Sequence, residues 1–228
     1  MSYKKMLLIS ISTLLITFTG IFIVSAAVGP PIDVGGKNCA TSLCTSRLHR
    51  TGVNGYISVS NPYVPSGEFT ARYFGIKDGS GFIGFGWGKG YNPVCGYLNS
   101  PTAYIDYVKV KKSGSEYDCI VIGEVSTTSH RFALAFDIDE RRWEFYLDGS
   151  LVHTLPSGIA PKDDDGKALS YSESGANAVY PDMSGHFYDL WYYEGEYGGW
   201  WDAFYPVDGS DYYKVNKIAN WEFYVVRG

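Results

Sequence analysis

Short apolar runs with polar positions between them recur along most of the chain, and the pattern is clearest between His130 and Leu155. Phe132-Ala133-Leu134-Ala135-Phe136-Asp137-Ile138 is followed by a polar break at Asp139-Glu140-Arg141. Trp143-Glu144-Phe145-Tyr146-Leu147 then runs into Asp148-Gly149 and a third stretch, Ser150-Leu151-Val152-His153. Alternation at period two, a short polar turn and an Asp-Gly pair predict three consecutive antiparallel strands. Further strands are predicted at 56–59, 69–76, 82–87, 103–110, 118–122, 168–173, 185–193 and 221–226, each rich in aromatic or β-branched residues and bounded by turn formers. No segment holds a 3.6-residue period over more than two turns, and no repeat of solenoid or propeller length is present. Many short strands at even spacing predict an all-β chain: a two-sheet antiparallel β-sandwich of jelly-roll type.

Two segments break the pattern. Residues 27–54 carry paired prolines and glycines and are expected to form an N-terminal leader with a local disulfide, so that the sandwich occupies 55–228. Residues 194–214 read as a long Gly-, Tyr- and Trp-rich loop, a length that in compact domains usually marks function. Ahead of both, Lys4-Lys5, an apolar run and Val24-Ser25-Ala26-Ala27 predict a signal peptide over 1–26. The protein is therefore expected to be secreted or held on the extracellular surface. It would meet a membrane only if that N-terminal segment stayed uncleaved.

Composition narrows the classes of partner. The chain has 228 residues and a formal charge of −5, which becomes −7 once residues 1–26 and their two lysines are lost. An acidic exported domain excludes nucleic acid as a natural partner and leaves an extracellular glycan or polypeptide. Four cysteines, Cys39, Cys44, Cys95 and Cys119, lie in the exported part, where thiols oxidise. Their spacings lack the close pairs of a zinc site, and short spacing suggests Cys39 with Cys44, leaving Cys95 with Cys119.

The aromatic strand ending in Tyr146-Leu147-Asp148-Gly149-Ser150-Leu151-Val152 resembles the hairpin of concanavalin A-like sandwiches of the laminin-G and lectin type. Phe82-Ile83-Gly84-Phe85-Gly86-Trp87, Tyr104-Ile105-Asp106, Ser170-Tyr171-Ser172-Glu173 and Gly185-His186-Phe187 distantly resemble the exported glutamic peptidases of the eqolisin and neprosin types. That second resemblance implies a Gln or Glu on the first of these strands partnering a Glu on a later one, the pair activating a water and stabilising the oxyanion. Carried over by position, Glu173 matches the later glutamate, while Gly84 stands where the first catalytic side chain belongs and supplies none. Asp106 is the residue that would have to substitute, so Glu173 and Asp106 are the candidate catalytic pair.

Because half of that apparatus is missing, the leading expectation is a non-catalytic module that binds a glycan or an extended peptide. The alternatives are a glutamic-type endopeptidase with a non-standard partner for Glu173, and a structural surface protein without a small ligand. Aromatics form 17% of the chain, more than a sandwich core needs, and Tyr and Trp suit stacking on sugar rings. The expected binding residues are Trp87, Tyr91, Tyr104, Trp191, Trp200 and Trp201, with Tyr97, Phe204 and Tyr205 near them. No cofactor is expected, except that the lectin-type resemblance allows calcium at Asp163-Asp164-Asp165-Gly166 or Asp208-Gly209-Ser210-Asp211. Glu194 and Glu196 share a glycosidase-like spacing, but in a loop and not on a strand. None of His49, His130, His153 and His186 stands in a recognisable nucleophile motif, which argues against a Ser-His-Asp hydrolase.

Overall fold

The computed structural model describes residues 32–38, 50–77, 81–111, 114–156, 159–160, 167–174, 182–194, 197–202, 204–208 and 212–228. Its strands in chain order begin with β1 (Ile32–Asn38), β2 (Gly52–Ser58), β3 (Phe69–Lys77), β4 (Phe82–Asn92) and β5 (Gly96–Lys111). They continue through β6 (Gly114–Glu124), β7 (Ser129–Asp137), β8 (Arg142–Leu147), β9 (Ser150–Pro156), β10 (Ile159–Ala160) and β11 (Lys167–Ser174). The last are β12 (Gly185–Glu194), β13 (Tyr197–Trp200), β14 (Tyr205–Asp208), β15 (Tyr213–Ala219) and β16 (Glu222–Arg227). Among the described residues no helix is long and apolar enough to cross a membrane.

Two eight-stranded antiparallel sheets result. The first runs β10-β5-β4-β3-β11-β1-β14, with β6 on β5; the second runs β15-β16-β12-β2-β7-β8-β9, with β13 on β12. Period-two alternation sends one set of side chains from each sheet into a shared core. Phe74, Ile83, Phe85 and Ile105 from the first sheet meet Ile57, Phe132, Phe145 and Phe187 from the second. The contacts are edge-on: Phe85 lies 5.1 Å from Phe132 and 5.6 Å from Phe145, and Phe74 lies 6.1 Å from Phe187. The β8–β9 turn has Asp148 at φ 50° and Gly149 at φ 83°, the two left-handed positions an Asp-Gly hairpin turn uses.

The structure differs from the sequence reading at its two irregular segments. Ile32–Asn38, read as leader, is a strand held between β11 and β14. The expected loop at 194–214 instead contributes β13, β14 and the start of β15. Order on the N-terminal side of the sandwich begins before residue 55, with Arg50 buried and β2 starting at Gly52. Residues 1–31, Cys39 and Cys44, and the acidic turns at 161–166 and 209–211 lie outside the described residues.

Cys95 and Cys119 form a disulfide, with Cα atoms 5.2 Å apart. Cys95 is near the tip of the β4–β5 hairpin, whereas Cys119 opposes Asp106 far down β5. The hairpin tip must therefore curl over the outer face of the first sheet, and it does so at a register shift where Gly90 takes φ 100°. Reducing this bond is expected to cost about 2 to 4 kcal/mol, read as a lower urea midpoint in a reductant titration. An unchanged midpoint would show that the cross-link closes nothing the unfolded chain would otherwise explore.

Candidate functional site

Each sheet has an outer face, and the two differ in kind. On the first sheet, Phe69, Ala71, Tyr73, Leu98, Tyr104, Leu169 and Tyr171 form a second apolar cluster beneath the curled hairpin. Asp106 and Glu173 belong to this same face by alternation, yet the register separates them. Asp106 pairs with Gly84, Gly84 with Gly75, and Gly75 with Leu169. Glu173 lies four residues farther along β11, opposite Ala71, which pairs with Gly88. Three strand spacings and four residues of rise put their Cα atoms on the order of 20 Å apart. Gly84 likewise shares a row with Leu169 and not with Glu173, so the expected catalytic pair is not assembled.

Asp106 is nonetheless unusual. Its Oδ1 is buried without a hydrogen-bond partner. Burial pushes its pKa up to about 7, with the backbone N–H of Tyr107 pulling weakly the other way. The space over Gly84 is not open to a ligand, because a Cβ there would stand 2.5 Å from the ring of Phe82. At Gly86 the neighbour is backbone: a Cβ would meet the carbonyl oxygen of Arg72 at 2.0 Å, so glycine there permits β3 and β4 to approach.

The outer face of the second sheet holds a trough. Its floor lies on the two central strands, with Gly52 opposite Ala135 and Asn54 opposite Ala133; the Tyr193 ring covers Gly52, where a Cβ would meet it at 2.8 Å, and the half-buried Ala133 and Ala135 are the part left open. One wall stands on β12, where Tyr193 pairs with Gly52 and Trp191 with Asn54. The other stands on β8, where Glu144 pairs with Ala135 and Tyr146 with Ala133. The strands bearing the walls are three spacings apart, about 14 Å. Asn54 is fixed from both sides, donating to the Tyr193 hydroxyl at 2.7 Å and accepting from Arg131 Nη2 at 2.9 Å.

At the β12 end, Trp200 lies 4.4 Å from Trp191 and 5.8 Å from Trp221, and both Trp200 and Trp221 are 44% exposed. Nearby, Tyr224, His186, Tyr188 and Tyr56 stack in a row at 4.0, 4.5 and 5.0 Å. These rings spend their faces on one another and show edges to solvent, whereas the tryptophans are tilted and keep apolar surface exposed. A sugar ring stacks on a face, so the tryptophan cluster is the platform.

Glu144 is the carboxylate on the β8 wall, and both of its oxygens are taken. Oε1 accepts from Arg142 Nε and Nη2 at 3.0 and 2.7 Å, and Oε2 accepts from the Tyr146 hydroxyl. The bond to Glu144 raises the Tyr146 pKa to about 12, and the same carboxylate raises that of Arg142. A carboxylate engaged by three donors keeps at most one acceptor position for a substrate. Among the described residues no cluster of His, Cys, Asp and Glu could hold a metal ion.

The expected binding residues therefore divide. Trp191 and Trp200 are in the trough, joined by Trp221, Tyr193, Asn54, Arg131 and Tyr146, which the sequence reading passed over. Trp87 and Trp201 are core residues, fully buried or nearly so, and Phe204 packs with them; they point inward where a ligand cannot reach. Tyr104 is buried under the hairpin on the opposite sheet. Tyr91 and Tyr97 are exposed on that hairpin, 4.9 Å apart, and do not join the trough. Glu194 is bonded to Arg50 at 2.8 Å, a surface role. The missed residues had one signal, their spacing of two along strands: Asn54 with Tyr56, Glu144 with Tyr146, Trp191 with Tyr193.

No family model matches the chain, and no curated protein matches it by sequence. Solved structures do. Scytalido-glutamic peptidase with a transition-state analog inhibitor superposes with a TM-score of 0.57 at 11% identity, covering 86% of this chain and 98% of that one. SCP-B, a member of the eqolisin family of peptidases in complex with the tripeptide Ala-Ile-His, gives 0.54 at 11% identity over the same shares. The fold is the one these peptidases use. A family 16 glycoside hydrolase of Bacteroides ovatus matches less well, with a TM-score of 0.41 at 14% identity over 66% of this chain and 70% of that one. At these identities the likeness is one of fold, a concanavalin A-like sandwich distantly resembling the eqolisins, and the chemistry must come from this chain's own residues.

Proposed function

We propose that this protein is an exported β-sandwich that binds a neutral glycan without cutting it, in the trough across β12, β2, β7 and β8. The observation that carries this reading is the pairing of an exposed tryptophan platform with a floor of small residues and fixed planar polar groups. Arg131 is half-buried and held by Asn54, so little order is lost when a sugar hydroxyl meets it, while Asn54, 2% exposed, acts by fixing Arg131 and Tyr193. The engagement of Glu144 by three donors supports binding over hydrolysis, since a carboxylate occupied in this way is a poor general base. Export rests on the N-terminal sequence together with the Cys95–Cys119 bond. The acidic charge favours neutral over anionic polysaccharide.

A glutamic peptidase on the first sheet is the weaker reading, because Asp106 and Glu173 stand too far apart to share one water.

Affinity electrophoresis through gels containing soluble neutral polysaccharides tests the proposal. The wild-type chain is expected to be retarded by at least one of them, and Trp200→Ala or Trp191→Ala to weaken that retention ten- to a hundredfold. Such a loss corresponds to about 1.4 to 2.8 kcal/mol. Trp200 is largely exposed, so its variant should keep the wild-type melting temperature. Equal retention of wild type and both variants would sink the platform, and no retention in any gel would sink the glycan.

A further inference from the structure

The connection from β6 to β7, residues 125–128, crosses from the first sheet to the second, and at its end three side chains meet that no local motif associates. Ser126 Oγ lies 2.9 Å from His130 Nε2. His130 Nδ1 lies 2.6 Å from Asp148 Oδ2. We propose that Ser126, His130 and Asp148 form a nucleophile, base and orienting carboxylate that hydrolyse short-chain carboxylic esters. This site does not use the glycan platform, although it adjoins the trough through Arg131, whose side chain holds Asn54 and whose backbone holds Asp148.

The protonation pattern follows from the donors and acceptors. An ionised carboxylate only accepts, so the short contact puts a proton on Nδ1, and in the neutral ring Nε2 then carries the lone pair within reach of the Ser126 hydroxyl. That is the tautomer a serine nucleophile requires. Asp148 is itself held: its Oδ1 accepts the Arg131 N–H at 2.9 Å, and its own N–H donates to the Arg131 carbonyl at 2.8 Å. Its left-handed φ of 50° in the Asp-Gly turn aims the carboxylate back at β7. Thr128 Oγ1 stands 3.0 Å from Ser126 Oγ and 3.2 Å from Nε2, steadying both. The Ser126 carbonyl oxygen, 3.2 Å from Nε2, is placed to accept a hydrogen bond from the Nε2–H that forms during reaction.

The chemistry balances with water alone. Ser126 Oγ attacks the ester carbonyl carbon as its proton passes to Nε2. The carbon–oxygen bond to the alcohol breaks, and Nε2 returns the proton to the leaving alkoxide, leaving an acyl group on Ser126. Water, losing a proton to Nε2, then displaces the acyl group as carboxylic acid and restores the serine. The developing oxyanion falls to the N–H groups of Thr127 and Thr128, which follow the nucleophile directly in the chain. Ser126, Thr127 and Thr128 are all exposed, with no wall beside them to hold a long acyl chain or a folded peptide. Acetyl and similarly short esters of accessible hydroxyls match that setting.

The test is labelling of the purified full chain with a fluorophosphonate, mapped by peptide mass spectrometry, beside steady-state hydrolysis of p-nitrophenyl acetate. The adduct is expected on Ser126, absent in Ser126→Ala and His130→Gln, and formed at least a hundredfold more slowly in Asp148→Asn. Asparagine tolerates a positive φ, so Asp148→Asn should keep its turn and its melting temperature while losing the carboxylate. A purely structural clasp would leave the labelling rate unmoved. A folded wild-type chain with no adduct on Ser126, an adduct on Thr128 in its place, or equal labelling of wild type and Asp148→Asn would each overturn the proposal.

Discussion

Arg72→Ala is expected to destabilise the sandwich by about 3 to 5 kcal/mol, the largest single-residue loss among the described positions. Arg72 is fully buried on β3 and points into the space between the sheets. It donates through Nη2 to the carbonyls of Asp182 and Ser184 at 2.6 and 2.7 Å, through Nε to Ser184 at 3.2 Å, and through Nη1 to Thr70 Oγ1 at 2.9 Å. Its guanidinium lies 4.7 Å from the centre of the Trp87 ring. Burial lowers its pKa to about 10, while Asp182 acts in the opposite direction. The residue thus ties the first sheet to the segment that leads into β12, and with it to one wall of the trough. Truncation would leave those carbonyls buried and unpaired, each carrying a desolvation cost. Arg72→Lys should recover little, since an ammonium lacks the planar fork that reaches two carbonyls and a hydroxyl together. Urea midpoints of the two variants would check this. A loss below about 1 kcal/mol for alanine would mean that water replaces the guanidinium and that the bridge between sheets is dispensable.

Asp106→Asn should have nearly as large an effect, but in the opposite direction, growing from about pH 4 and reaching its full size above pH 7. The carboxyl titrates near 7 in the folded chain against an ordinary value of 3.8. Between those two values the folded chain holds a proton that the unfolded chain has released. Stability is therefore greatest below about pH 4 as far as this group is concerned, and it falls as pH rises through 7. The full swing is on the order of 4 kcal/mol. An amide of the same shape never ionises, so Asp106→Asn should flatten this part of the pH profile and exceed wild type at pH 8 by a similar amount. Thermal or urea unfolding at pH 4, 6 and 8 would measure it. A wild-type profile that is flat from pH 4 to 8 would mean that Asp106 Oδ1 finds a polar partner and ionises normally.

Much of the architecture was legible because half-buried strands leave a period-two trace. Every strand predicted from alternation is present, and β3, β8, β11, β12 and β16 fall within one residue of their expected bounds, whereas β2, β4, β5, β6, β7 and β9 are longer by three residues or more at one end. The exceptions lie where alternation stops. β4 was expected to end at Trp87 but runs to Asn92, and that extension explains why Trp87 looked like a rim residue when it is a mid-strand core residue. β1 was hidden because Gly35 and Gly36 read as a linker. A Cβ at Gly35 would stand 2.1 Å from the Ser170 carbonyl, so the glycine marks close packing of strands and not looseness. In 194–214, Trp201 and Phe204 looked like loop aromatics, yet they pack into the core beside Phe223, a contact more than fifteen residues away in sequence.

The sites were less legible than the fold. Glu173 and Asp106 each lay on a correctly expected strand and on one face, but their relation depends on how four strands are ordered and registered. A register is a set of long-range pairings that no local pattern specifies. The same holds for Ser126, His130 and Asp148. Four residues separate the first two, but Asp148 reaches them only because the β8–β9 turn closes back on the start of β7.

By itself the sequence determined that the chain is a two-sheet sandwich and where the turns between β7, β8 and β9 fall, since turn chemistry and alternation act within a few residues, whereas the joining of Cys95 to Cys119 was one of three pairings it allowed. Tertiary structure alone decided which aromatic rings are core and which are surface, that the trough lies on the second sheet, and which carboxylates stand near a partner. Those outcomes depend on strand order and pairing across the sheets, where the energy comes from contacts between residues far apart in the chain.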